Sequence, residues 1–267
     1  MTIPLTTPDS ETSSVPYRVT TPRVLRSEWH KLWTLRSTWI TLTVASALVL
    51  AVGITMGSTY DGDDSEIDTV VFVLLGTQLS QICIAVLGIL VTASEYATGM
   101  IRASLTAVPR RSPVLWSKAA VFAAVAFTLG FVTNVVTFLV AQIWLSDGDK
   151  ATSLTGPGVL GALAGSAAGI TLMSLIALGL GALLRSVPAA IGAFVGAVLI
   201  LPEILGMLPY DAVDSAINYF PTQSAESLGS ATHLADAVTP AMGLLSLTLW
   251  ATAILTTAAL LLRRRDV

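Results

Sequence analysis

Six stretches of this chain run without a charged side chain for long enough to restrict its fold severely. They lie between Arg36 and Asp61, between Asp68 and Glu95, between Lys118 and Asp147, and across 158–184, 187–202 and 241–262. A charge at the centre of a bilayer costs about 2.5–3.5 kcal/mol on insertion scales, and a helix needs about 20 apolar residues to cross. Runs such as TWITLTVASALVLAVGITMG and VVFVLLGTQLSQICIAVLGILV meet both conditions. The expected fold is an all-α integral membrane protein with six transmembrane helices, at about 38–58, 70–93, 119–145, 158–184, 187–206 and 241–262. Apolar residues resume beyond Glu203 as ILGMLPY, so a tilted or broken fifth span is expected.

Composition agrees. Of 267 residues 54% are hydrophobic and 12% charged, against roughly 25% charged in a soluble domain, and the mean hydropathy is +0.77. A net charge of -3 argues against a nucleic-acid partner, which would need a basic face. One cysteine, Cys83, excludes an intramolecular disulfide, and the separated His30 and His233 cannot form a metal cage without carboxylates, so no metal site is expected.

Thirteen of the fourteen basic residues fall on one side of the expected bundle, in the first 37 residues, the loop after span two, the turn at Arg185 and the tail; Lys150 is the exception. Twelve of the seventeen acids lie on the other side, at 61–68, 147–150 and 203–236. The positive-inside rule puts both termini in the cytoplasm. Residues 1–21, rich in Thr, Ser and Pro, are expected to form a disordered tail before a transmembrane domain spanning 22–267. No cleavable signal peptide is expected, because a polar segment of some length precedes the first apolar run.

Three segments stand out. The first, VLRSEWHKLWTLRSTW at 24–39, places Leu25, Trp29, Leu32 and Trp33 on one stripe, with Arg23, Ser27, His30, Lys31 and Thr34 facing away. It reads as an N-terminal amphipathic interfacial helix in which Trp29 and Trp33, with Lys31 and Arg36, suit the lipid headgroup boundary. It serves either as an anchor or as a contact for a cytoplasmic partner. The second is the loop SEYATGMIRASLTAVPRRSPVLWSKA at 94–119, longer than a simple connection between spans needs. A short helix is expected from Tyr96 to Val108, with Glu95 at the membrane boundary, Gly99 allowing a close backbone approach, Arg102 a turn beyond, and Pro109, Arg110, Arg111 and Pro113 ending it. It either enforces orientation or couples a partner to spans two and three. The third is the ladder Gly161, Gly165 and Gly169 in span four, with Gly192 and Gly196 in span five, spacings that bring helices close in lipid within one chain or between two.

The order SEWHKLWTLRSTW, span, ASEYATGMIRASLTAVPRRSPVLWSKA and four further spans resembles the permease subunit of type-2 ATP-binding-cassette (ABC) transporters, in the six-span actinobacterial form. The likeness covers nearly all of the chain beyond residue 22 and is strongest at Ser27, Glu28, Lys31, Leu32, Arg36 and Ser37, and at Glu95, Tyr96, Gly99, Arg102, Pro109, Arg110 and Arg111. The resemblance implies an export permease in a bacterial plasma membrane, a cytoplasmic ABC ATPase docking on a coupling helix between spans two and three, a permease dimer, and short re-entrant helices within 203–240.

The absences fit. The chain has no G-x-x-x-x-G-K-[ST] loop, so ATP would be held by the partner and this chain needs no cofactor. No Asp, Glu, His, Lys or Arg occupies the middle of a span, which removes the usual coupling groups of secondary transporters and pumps. A membrane-embedded hydrolase lacks its clustered residues for the same reason, and no enzymatic role is expected. Gln78, Gln81, Asn134 and Gln142 read as hydrogen-bonding residues between helices, and a charge-poor pathway suits a lipid-like cargo. A structural or signalling membrane protein stays open on the residues alone.

Overall fold

The structure, a computed structural model, describes residues 20–61, 67–97, 99, 111–146, 148, 150–231 and 238–264. Helices make up the regular structure of these residues, and there are no strands among them. Six helices are long and apolar enough to span a bilayer: Arg36–Ser58, Thr77–Tyr96, Pro113–Leu145, Val159–Leu184, Val187–Gly206 and Pro240–Leu262. The chain is a multi-pass membrane protein. The expected 1–21 tail lies almost wholly outside the described residues, and Thr21 already begins a helix.

Span four is the central post and the most enclosed of the six. It packs along span two most extensively, then against spans six and three, while span one lies on spans three and two. Small residues set these distances. A Cβ at Gly88 in span two would stand 2.7 Å from the Ser174 carbonyl oxygen of span four, and one at Gly181 would stand 2.9 Å from the Ile89 carbonyl oxygen of span two. Thr92 ties the same pair together, donating its hydroxyl to the Leu178 carbonyl oxygen at 3.0 Å.

The sequence-based boundaries need three corrections. The helix carrying span three starts at Arg111, so Lys118 lies within it rather than in the preceding loop. Span two begins at Thr77; residues Thr69–Val73 form a separate short helix, capped by Asp68, whose carboxylate accepts from the Val70 and Val71 amides. The break at Gly76 presses backbone on backbone, since a Cβ there would meet Leu48, Val49 and Val52 of span one at 2.9 Å. The expected continuous helix over 24–39 is broken at Leu35, whose extended backbone (φ -82, ψ 120) separates the N-terminal helix Thr21–Thr34 from span one, so Arg36 opens the span. Span five keeps the expected bounds, Val187–Gly206, and widens within them into a π-helix over Phe194–Ile200. Pro202 lacks an amide and its ring displaces the carbonyl four residues back, and the Leu201 amide reaches Gly196, five residues back, just before it.

The glycine ladder divides by position. Gly165 and Gly169 face the short helix Pro221–Glu226 and the turn after it: a Cβ at Gly165 would collide with the Leu228 carbonyl, and one at Gly169 would lie 3.3 Å from the Ala225 carbonyl oxygen. Among the described residues nothing lies within 4 Å of a Cβ at Gly161, Gly192 or Gly196. Gly165→Ala should lower the thermal unfolding midpoint of the detergent-purified protein, by about 1–3 kcal/mol of overpacking. Gly161→Ala should leave the midpoint unchanged or raise it, because the space is open and alanine is the better helix former by up to about 1 kcal/mol.

Candidate functional site

A closed ring of four charges sits at the basic end of the bundle. Lys118 Nζ lies 2.7 Å from Glu28 Oε2 and 2.9 Å from Glu95 Oε1, while Lys31 Nζ lies 2.8 Å from Glu28 Oε1 and 3.3 Å from Glu95 Oε1. Positive and negative groups alternate around it, so the set is neutral. Glu28, Glu95 and Lys118 are 5%, 8% and 6% exposed, and Lys31 forms the half-open edge. Four ions withdrawn from water at a membrane boundary are tolerable only as such a compensated set, because each unpaired ion would retain several kcal/mol of desolvation cost.

Three segments distant in sequence meet in the ring. Glu28 and Lys31 come from the N-terminal helix, Glu95 from the last turns of span two, and Lys118 from the second turn of the span-three helix. The buried face of the N-terminal helix is Val24, Glu28 and Leu32, an i, i+4, i+8 row. Leu32 packs with Leu42, Leu115 and Ala119, so a hydrophobic patch lies directly beside the charges.

This placement overturns the expectation that Lys31 faces away from the bundle: its ammonium turns inward to two carboxylates. Of the expected tryptophan stripe, Trp29 is exposed and Trp33 half-buried. The indoles instead form a chain across the Leu35 break, with ring centroids 5.4 Å apart for Trp29 and Trp33 and 4.7 Å apart for Trp33 and Trp39; Trp39 also donates its Nε1–H to the Trp33 carbonyl oxygen. Glu28 and Lys118 were not singled out as site residues by sequence reasoning. The usable signals were a carboxylate spaced four residues from apolar neighbours on either side, and a lysine inside an apolar helix, which requires a partner.

Tyr96 sits beside the ring on the span-two helix, and the Arg185 guanidinium lies over its aromatic ring, 5.0 Å from the centroid. Arg185 adopts a left-handed conformation (φ 55) in the two-residue turn between spans four and five. That contact joins the ends of spans two and four. Gly99 also has positive φ (70), and no described atom lies within 4 Å of a Cβ there. Arg111 begins the span-three helix, while Arg102, Arg110 and the rest of the expected coupling helix beyond Ala97 and apart from Gly99 lie outside the described residues.

Among the interior amides, Asn134 does bridge helices, donating to the Leu163 carbonyl oxygen of span four at 3.2 Å. Gln142 instead accepts from the Thr152 amide in a loop at 3.2 Å. At the acidic end Gln78 donates to Glu226, and Gln223 to Glu203. Lys150, the exceptional base, donates to the Ile67 carbonyl and rests against the rings of Tyr60 and Phe72. No group of three potential metal ligands occurs among the described residues. The chain matches no protein-family model and no curated protein.

Glu28 and Lys31 of the ring contribute to the response to pH. Burial works to raise the Glu28 carboxyl, but Lys118 and Lys31 outweigh it and hold the group below its ordinary value of 4.5. Burial works to lower Lys31, and Glu28 and Glu95 outweigh that, holding it above 10.5. The stabilisation from Glu28 is therefore complete above pH 4.5 and lost as pH falls through its lowered value, whereas that from Lys31 is complete below pH 10.5 and lost as pH rises through its raised one. The difference in thermal unfolding midpoint between the wild-type protein and Glu28→Gln should be level between these limits and shrink on the acid side. Lys118→Met, which leaves two carboxylates facing one lysine, should cost about 3–5 kcal/mol. Adding Glu95→Leu to it should recover part of the loss by restoring neutrality.

Proposed function

We propose that this chain is the membrane subunit of an ATP-driven exporter of the type-2 ABC kind, working as a pair with a second copy or a close relative. Separate cytoplasmic ATPase subunits supply the hydrolysis, and this chain supplies the translocation pathway. It resides in a bacterial plasma membrane with its basic end and both termini in the cytoplasm, the orientation that the distribution of Lys and Arg favours.

One observation carries the reading: the charge ring fastens the N-terminal helix to the two helix ends that bracket the 98–110 loop. Glu95 precedes that loop and Lys118 follows it. A partner bearing on either the loop or the N-terminal helix therefore acts on spans two and three together, because the ring cannot open without exposing unpaired buried charge. Span four follows span two through the Thr92 hydroxyl and the Arg185–Tyr96 contact. ATP-driven closure of two ATPase subunits would thus tilt a jointed set of helices in each permease. The outward-facing Trp29 and Trp39 suit the headgroup layer in this arrangement, amphipathic rings being favoured there.

The test is purification of the tagged full-length chain from its native membrane. A soluble chain with a G-x-x-x-x-G-K-[ST] loop should copurify, and a photo-crosslinker at position 102 should label it. Replacing Arg102 together with residues 98–108 by a Gly/Ser linker should release that chain while the permease still elutes as a folded species. A native preparation free of any such ATPase overturns the transporter reading; retention of the ATPase by the linker variant overturns the docking assignment alone.

A further inference from the structure

At the acidic end, the structure contains a cavity of about 800 Å³, within the range of pockets that enclose drug-sized ligands. One wall is the outer part of span two with the turn before it, contributing Leu74, Leu75, Gln78 and Gln81. A second is span four, contributing Ser166, Gly169 and Ile170. The third is the segment between spans five and six, including Thr222, Gln223 and Glu226. Ile170 is eleven residues along span four from Val159, which at about 1.5 Å per residue puts the cavity floor about 16 Å below that end of the helix.

The lining combines apolar walls with polar groups and lacks any basic side chain among the described residues. Of its two carboxylates, Asp68 is occupied as the cap of Thr69–Val73. Among the described residues the Glu226 carboxylate has one side-chain partner, the Gln78 amide, at 3.5 Å. Glu226 is an exposed side chain on the cavity lining. Partial desolvation of its carboxyl, and then the nearby Glu203 charge, raise its pKa above the ordinary glutamate value, with the Gln78 bond opposing. Gln81 also lines the space and has no hydrogen-bond partner among the described residues. Lys150 lies nearby but is directed to the Ile67 carbonyl and two aromatic rings.

We propose that this cavity is a binding site for amphiphilic organic cations, with Glu226 facing the cationic centre and Leu74, Leu75 and Ile170 holding the apolar body. A cation supplies the countercharge that the Glu226–Glu203 pair lacks locally, and Gln78 and Gln81 offer amide oxygens around it. An anion of the same shape would meet two carboxylates and no base. The site does not depend on the exporter reading, since it is a property of the isolated chain.

The experiment uses full-length protein in dodecylmaltoside and equilibrium dialysis with two probes of nearly equal size and opposite charge, tetraphenylphosphonium and tetraphenylborate. Tetraphenylphosphonium should bind saturably and at least about tenfold more tightly than tetraphenylborate, as expected for one partly enclosed charge contact. Glu226→Gln should weaken the cation about tenfold while preserving size and the Gln78 contact. Leu75→Trp, at a wall position already 44% exposed, should reduce binding of the cation by filling the space. Equal affinity for the two probes, or an unchanged affinity in a monodisperse Glu226→Gln protein, overturns the proposal. Should Glu226→Gln elute as aggregate, undiminished binding by Leu75→Trp overturns it instead. No ATPase takes part, so failure here leaves the exporter reading standing.

Discussion

Two glutamates and a lysine buried at one end of an otherwise apolar bundle, closed by a second, half-exposed lysine, impose the strictest condition on this structure. Each ion alone would be expelled from its position or neutralised by a shift in protonation. Together they make a ring with no net charge, in which each ammonium touches two carboxylates and each carboxylate two ammonium groups. The ring therefore requires the N-terminal helix, the end of span two and the start of span three to be present at once. A hydrophobic contact could have joined the same helices with less geometric demand. An alternating ring accepts one register only, because sliding the N-terminal helix by a turn would bring like charges together.

The six spans were legible because the bilayer filters sequence harshly: lengths and charge-free runs alone located every one of them to within a turn or two, apart from the start of spans two and three. Those two starts show the limits of reading charges as boundaries. Asp68 looked like a membrane edge, but it caps a separate short helix before the turn at Gly76. Lys118 looked like a loop residue, although partners from 90 and 23 residues away allow it inside a helix. The N-terminal helix was legible as a helix while its buried face was not. A stripe of Leu and Trp outweighed Glu28 in a purely apolar count, whereas the actual face places Glu28 between Val24 and Leu32 because its countercharges wait on other helices. Tertiary ion pairing leaves no periodic trace in one segment.

Glycine spacing had a similar ambiguity. The repeat at Gly161, Gly165 and Gly169 resembles a span-to-span seam, yet two of its members accept the backbone of the Pro221–Glu226 helix and its following turn, and the third meets none of the described residues. The tight span-to-span contacts use Gly88 and Gly181, which belong to no evident ladder. A missing side chain specifies that something approaches closely; what approaches is fixed by the fold. Gly169 also lies on the lining of the acidic-end cavity.

Spans two and four link the two ends of the molecule. Their contact is closed by backbone at Gly88 and Gly181, by the Thr92 hydroxyl, and at the basic end by Arg185 over Tyr96. Packing this close behaves as a single body, since helices in van der Waals contact along their backbones cannot slide without collision. Glu95 is at one end of that body, and Gln78, Gln81, Ser166 and Ile170 are near the other. The remaining cavity wall belongs to the segment after span five, which holds to the pair through the small-residue contacts at Gly165 and Gly169. A tilt imposed at the charge ring therefore moves two walls of the cavity as a unit, and the third wall follows only as far as those contacts hold. The volume between the walls is what such a motion would change.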